Sequence, residues 1–121
     1  MTPTGTGLQY VVLLHTGYEE DHFDLMLEVS PTDPLLTLRS PAWPILDEVQ
    51  LTPLGEHRRY YLDYEGQVSG NRGEVKQVAR GTYDLAGDGV NILITFATGT
   101  DHAPLVITDN GRAIPLSQWA Q

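Results

Sequence analysis

Three residues near the start of the chain carry the side chains best suited to chemistry: His15, His22 and Asp24. Imidazole nitrogens with a carboxylate oxygen suit Mn²⁺, Zn²⁺ or Fe²⁺, and a two-histidine, one-carboxylate set leaves positions free for water or substrate. The alternative is that they are polar residues on an exposed sheet face. A second group lies in the run from Glu56 to Gly66, where His57, Arg58, Arg59 and Tyr61 are close in sequence and Arg39 and Arg72 flank them. Guanidinium forks grip phosphate through paired hydrogen bonds, and a histidine among them can move a proton. The competing reading is a solvated loop whose arginines pair with nearby carboxylates. His102, beside Asp101, reads as a surface-loop residue.

The elements that must position these groups are strands. From His22 to Val29 the chain alternates strictly: His22, Asp24, Met26 and Glu28 share one side, and Phe23, Leu25, Leu27 and Val29 the other. Leu8 to His15 reads as a buried strand that delivers His15 at its end. The polar stretch Thr16 to Asp21 between them predicts an antiparallel pair with both histidines near one rim. Leu35 to Arg39 is a third strand. Ile45 to Leu51 fits a strand or a helical turn equally, and Pro53 to His57 reads as a loop. The Ser69–Gly73 segment is turn-like and is no Walker loop, since it lacks the Gly-Lys-Ser/Thr ending. Glu74 to Arg80, Gly81 to Leu85 and Val90 to Phe96 are strand-like, with a hairpin signal at Gly87-Asp-Gly89. Pro104 to Thr108 and the segment after Gly111 form one more hairpin. The pattern predicts a mostly β domain, a small closed or partly open antiparallel β-barrel with few short helical turns, over residues 8–121, behind a flexible tail at 1–7.

Composition narrows the functions. The 121 residues carry 16 acidic against 7 basic side chains, a formal charge of −9, which repels phosphate backbones at long range. There is no cysteine, so disulfides and thiolate metal sites are excluded. The first residues show neither the basic nor the apolar region of a secretory signal, and no apolar run reaches the length of a membrane span. A cytoplasmic domain is the expectation, with no membrane partner.

Two of these stretches resemble a known family. The run HFDLMLE (22–28) is similar to the HYDLRLE motif of the phosphoesterase module of DNA ligase D, the bacterial end-joining ligase. HRRYYLDYEG (57–66) resembles that module's HPLDYADFEG, with the histidine, the tyrosine four residues on and the Glu-Gly pair in register. ARGTYDL (79–85) is similar to its DRGTYE. The motifs follow in the same order, and the resemblance spans roughly residues 8–85. It implies a small β-barrel with Mn²⁺-dependent (or Zn²⁺-dependent) hydrolase activity in DNA repair, removing a 3′-phosphate or 3′-ribonucleotide from nucleic-acid ends. A ligase or polymerase is the partner protein it suggests. It further implies His15, His22 and Asp24 as metal ligands, His57 as the phosphate contact and Tyr61 as its support. The role of Glu28, which ends the first motif, stays open. Where the motif carries arginine this chain has Met26, and the loss of such a stabilising charge commonly costs about 10²–10³ in rate. The loop between His15 and His22 is one residue longer than the family's usual spacing. A non-catalytic module that holds a metal or anion and recognises a phosphorylated ligand or partner protein is the second expectation.

Overall fold

In the computed structural model, which describes residues 4–119, strand β1 (Gly5–Thr16) and strand β2 (His22–Leu27) pair antiparallel with His15 opposite His22 and Leu13 opposite Asp24. Strand β1 starts at Gly5, so residues 5–7, expected in the tail, belong to the sheet; residues 1–3 lie outside the described ones. The period-two alternation holds, and both of its faces are covered. Tyr10, Val12, Leu25 and Leu27 point into the main core with Ile94, Leu105, Ile107 and Ala113 from across the barrel. Val11, Leu13 and Met26 point the other way, into a second apolar cluster with Leu35, Leu62 and Val75. The polar positions of that second face are buried too: His22, Asp24 and Glu28 are 4%, 4% and 6% exposed. An exposed sheet face is therefore ruled out for His22 and Asp24.

What covers the face is the segment after strand β5 (Thr52–His57). It makes a 3-10 turn at Arg59–Leu62, and Tyr61, Tyr64 and Val68 pack on the second cluster with Leu62. Glu28 anchors this strap. Its carboxylate accepts hydrogen bonds from Arg59 and from the Gln9 N–H, and Arg59 also donates to the carbonyls of Ser30 and Asp33. Burial pushes the Glu28 carboxyl up, but the bonds from Arg59 and Gln9 outweigh it and hold it below its ordinary value. At the far end of the strap, Arg80 donates to the Leu62 carbonyl at 2.6 Å and to the Asp63 carboxylate.

The remaining strands are β3 (Leu35–Ser40), β4 (Val49–Gln50), β6 (Gly66–Gln67), β7 (Glu74–Gly87), β8 (Ile92–Phe96), β9 (Leu105–Ile107) and β10 (Arg112–Pro115), followed by one helical turn, α1 (Leu116–Trp119). The antiparallel sheet runs β4-β10-β9-β8-β7-β1-β2-β3-β5, with β6 on β7. Its two edges, β4 and β5, are separated in sequence only by Leu51, which is buried. The chain itself thus brings the edges together, and the sheet curls into a nearly closed barrel. Two readings need correction. Pro53 to His57 is not a loop: Thr52–His57 is an edge strand on β3, where a proline without an N–H is tolerated. Glu74 to Leu85 is one continuous strand, and Val78 is passed over where Val12 pairs with Ala79 and Leu13 with Gln77. Such a bulge bends the strand, letting β7 serve both barrel and site. The undecided stretch Ile45 to Leu51 holds only the short strand β4. No helix among the described residues is long and apolar enough to cross a membrane.

Candidate metal centre and its cleft

Strand pairing sets His15 directly across from His22, and the alternation puts Asp24 beside them on the covered face. The donor atoms of the three residues all lie within 4.8 Å of one another. His15 Nδ1 is 3.3 Å from Asp24 Oδ2, and His22 Nε2 is 3.2 Å from Asp24 Oδ1. Each ring spends its other nitrogen on a backbone carbonyl. His15 Nε2–H donates to Arg72 O at 2.7 Å, and His22 Nδ1–H donates to Glu20 O at 2.9 Å. A carbonyl can only accept, so a ring carrying a single proton must hold it on His15 Nε2 and His22 Nδ1, which leaves His15 Nδ1 and His22 Nε2 as lone pairs; only a doubly protonated His15 would donate Nδ1–H to Asp24 Oδ2.

Both lone pairs face the same carboxylate, which itself offers only acceptors. The His22–Asp24 contact is near enough for an ion pair yet not aligned as a hydrogen bond, and among the described residues both His22 Nε2 and Asp24 Oδ1 are buried with no hydrogen-bond partner. Buried polar atoms are rarely left so. Ligands bonded to one ion at about 2.1 Å stand roughly 3.0–3.4 Å apart, the spacing of both carboxylate contacts. Imidazoles anchored through the far N–H are the usual arrangement behind a metal. The donor set fits a divalent cation of the Mn²⁺ or Zn²⁺ kind.

The anchoring carbonyl of Arg72 is itself held by a close approach of two loops. Gly73 has φ +78°, and a Cβ there would lie 2.1 Å from Thr16 O and 2.9 Å from Gly17 C. Only glycine lets the Ser69–Gly73 turn sit against the end of β1, with Val68 N–H bonded to Gly73 O at 2.8 Å. That turn carries no phosphate loop, but it does position His15.

The triad forms one wall of a cleft of about 270 Å³. Met26, Leu54, Val68 and Val75 supply apolar wall, and His57, Tyr61, Arg39 and Arg72 complete it. His57 lies at the end of β5, its ring 5.7 Å from that of Tyr61 and its Nδ1 buried without a partner among the described residues. Burial pushes the His57 pKa down from the usual 6.5; the Asp24 carboxylate opposes this and the Arg72 guanidinium adds to it. Tyr61 is pushed up to about 12 by its hydrogen bond with Tyr60 and by burial, so its phenol keeps its proton.

The four arginines divide. Arg39 and Arg72 line the cleft; Arg39 bonds Glu19 at 3.1 Å, its Nε buried without a hydrogen-bond partner among the described residues, and Arg72 Nε donates to Ser69 O at 2.7 Å. Arg58 is exposed outside the cleft lining, and Arg59 is committed to Glu28. The structure therefore does not bring these last two to the phosphate position expected of them. Tyr18, on the loop between the histidines, was not anticipated; its ring stacks on His15 at 6.2 Å and lines the cleft. No pattern marks a loop tyrosine for this role. His102 is not a plain surface residue: its ring stacks on Trp43 at 4.5 Å, Nε2 accepts from Ile45 N–H at 2.8 Å, and Nδ1–H donates to Ala103 O. It pins the segment 41–45 that follows β3 and takes no part in the triad.

No model of a known protein family matches this chain, and neither does any curated protein.

Proposed function

We propose that this protein is a metal-dependent phosphoesterase, with His15, His22 and Asp24 as ligands to Mn²⁺ or a similar divalent cation. The observation that carries the reading is the pair of orphaned acceptors, His22 Nε2 and Asp24 Oδ1, buried face to face at 3.2 Å. The motif resemblance extends the proposal to phosphate or ribonucleotide groups at nucleic-acid 3′ ends, and to a ligase or polymerase as partner.

When bound, a divalent cation supplies Lewis-acid polarisation of a phosphoryl oxygen. The chain's own groups do the rest. Arg39 and Arg72 offer guanidinium donors to the other phosphoryl oxygens, where charge grows in the transition state. A water oxygen forms the new bond to phosphorus as the ester P–O bond breaks. The water's proton passes to the His57 imidazole, and the leaving oxygen takes one from solvent. Tyr61, kept as a phenol, braces the His57 ring.

The test is release of phosphate or nucleoside from 3′-phosphorylated and 3′-ribonucleotide-ended primers and from a small phosphomonoester with Mn²⁺ present. Turnover should vanish in His22→Ala and fall by about 10²–10⁴ in His57→Ala. Because His57 must be neutral to accept a proton, the rate should rise with pH through a midpoint below 6.5, and His57→Ala should lose that limb. Absence of turnover with every divalent metal, or full activity in His22→Ala, would refute the reading.

One observation favours the second reading, a module that binds a phosphorylated ligand or partner without turning it over. Met26, 2% exposed, occupies the cleft wall where the resembling motif has a cation. A wild type that binds phosphate but is inert, with turnover gained in Met26→Arg, would establish that reading over the first.

A further inference from the structure

We infer that the cleft takes a small phosphomonoester bearing a planar ring, of mononucleotide size, in preference to the end of a polynucleotide. The inference rests on the phosphoesterase reading and narrows its substrate. Three independent features of the molecule lead to it.

The first is size. At about 270 Å³ the cleft sits just below the roughly 300–1,000 Å³ span of small-molecule sites, so a phosphoryl group with its sugar fills it and any further nucleotide of a strand must lie outside.

The second is charge. A strand that continues beyond the cleft must be held through its phosphates by cations along its path. Of the seven basic residues in the chain, three are paired to carboxylates away from the cleft, Arg59 to Glu28, Arg80 to Asp63 and Arg112 to Glu48, while Arg39, bonded to Glu19, stands on the cleft wall. Lys76 borders a depression shared with Glu65 and Glu74. Arg58 and Arg72 are left, and only Arg72 reaches the cleft. Beside the cleft, in the depression that shares His22 and Arg39 with it, Glu20 and Asp21 add two carboxylates. A polyanion leaving that way meets carboxylates where it needs cations, on a molecule of net charge −9. A single phosphomonoester meets only the metal, Arg39 and Arg72.

The third is Tyr18. One face of its ring is backed by His15, and the residue remains 39% exposed at the cleft. An aromatic ring braced from behind and open in front is a stacking platform for a planar group.

The experiment compares a nucleoside 3′-monophosphate with the same nucleotide at the 3′-phosphorylated end of a long single strand, using the Mn²⁺-loaded protein. kcat/KM should be higher for the free nucleotide. For the strand, log kcat/KM should fall with log salt, between roughly 50 and 200 mM, no more steeply than about −1.4, the share of two cations at about 0.7 each. Tyr18→Ala should raise KM for the free nucleotide roughly tenfold with kcat kept, and leave KM for the ringless glycerol 3-phosphate unchanged. Preference for the strand by tenfold or more, with a steeper salt slope, overturns the inference and leaves the phosphoesterase reading standing. An equal effect of Tyr18→Ala on both small substrates overturns the stacking role, and hydrolysis of none of the three overturns both readings.

Discussion

Asp24→Asn raises the thermal stability of the metal-free protein and abolishes its response to Mn²⁺ or Zn²⁺. The two effects have opposite signs, and the pairing is hard to reach by any other account. In the metal-free state His22 Nε2 faces Asp24 Oδ1 at 3.2 Å, with neither atom hydrogen-bonded among the described residues. An asparagine amide turned toward His22 would donate into the Nε2 lone pair, and satisfying a buried acceptor is worth roughly 1–3 kcal/mol. The same change removes the only carboxylate of the donor set. Altering the groups behind a metal's ligands already costs about 10–100-fold in affinity, so losing a ligand should cost more. A purely structural role for Asp24, as acceptor from two protonated histidines, predicts the reverse in the metal-free protein, a loss of stability. Thermal melts of both proteins, with and without excess metal, give the answer.

Gly73→Ala has the second largest expected effect. The added methyl would stand 2.1 Å from Thr16 O, and the backbone, at φ +78°, disfavours any side chain by about 1–2 kcal/mol before that clash is counted. The Ser69–Gly73 turn must then lift from the end of β1, taking Arg72 O from His15 Nε2. The expected outcome is a destabilisation of about 3 kcal/mol or more, with a 10–100-fold loss of metal affinity in whatever folds. Gly70→Ala is the matching control. It lies in the same turn at φ +76°, but an added Cβ meets only the flexible Arg72 side chain at 3.5 Å. It should lose the backbone term and keep the metal site. Equal loss of metal affinity in both variants would show that the turn's general shape, and not the Gly73 approach, positions His15.

Much of the sheet was legible because local pattern and tertiary burial agree in it. Leu8 to His15, His22 to Val29 and Leu35 to Arg39 each carry the residue types and alternation of strands, and the glycines around Asp88 mark a hairpin. The edge strand β5 was hidden by Pro53 and Gly55, which weaken any interior strand but are admissible beside solvent. The burial of the triad's face was not legible. It depends on the 58–68 strap crossing from the far edge of the sheet, and the Arg59–Glu28 bond that ties it spans 31 positions. That long-range pairing also explains the division of the arginines. Adjacent positions in sequence placed Arg58 and Arg59 with His57, whereas the fold turns Arg59 onto Glu28 and fills the cleft with Arg39 and Arg72. The candidate ligands were nameable from residue type and strand period; the orphaned lone pairs between them were not.

Titrating Mn²⁺ and Zn²⁺ into the wild-type protein and following its melting temperature tests the metal centre most directly. A site made by the folded chain must raise stability by about 2.7 kcal/mol at a hundredfold excess over Kd, on the order of 10 °C for a domain of this length. The account predicts such a rise, growing with the logarithm of the free metal concentration and absent from His22→Ala. A melting temperature indifferent to millimolar metal, or an equal rise in His22→Ala, would contradict it.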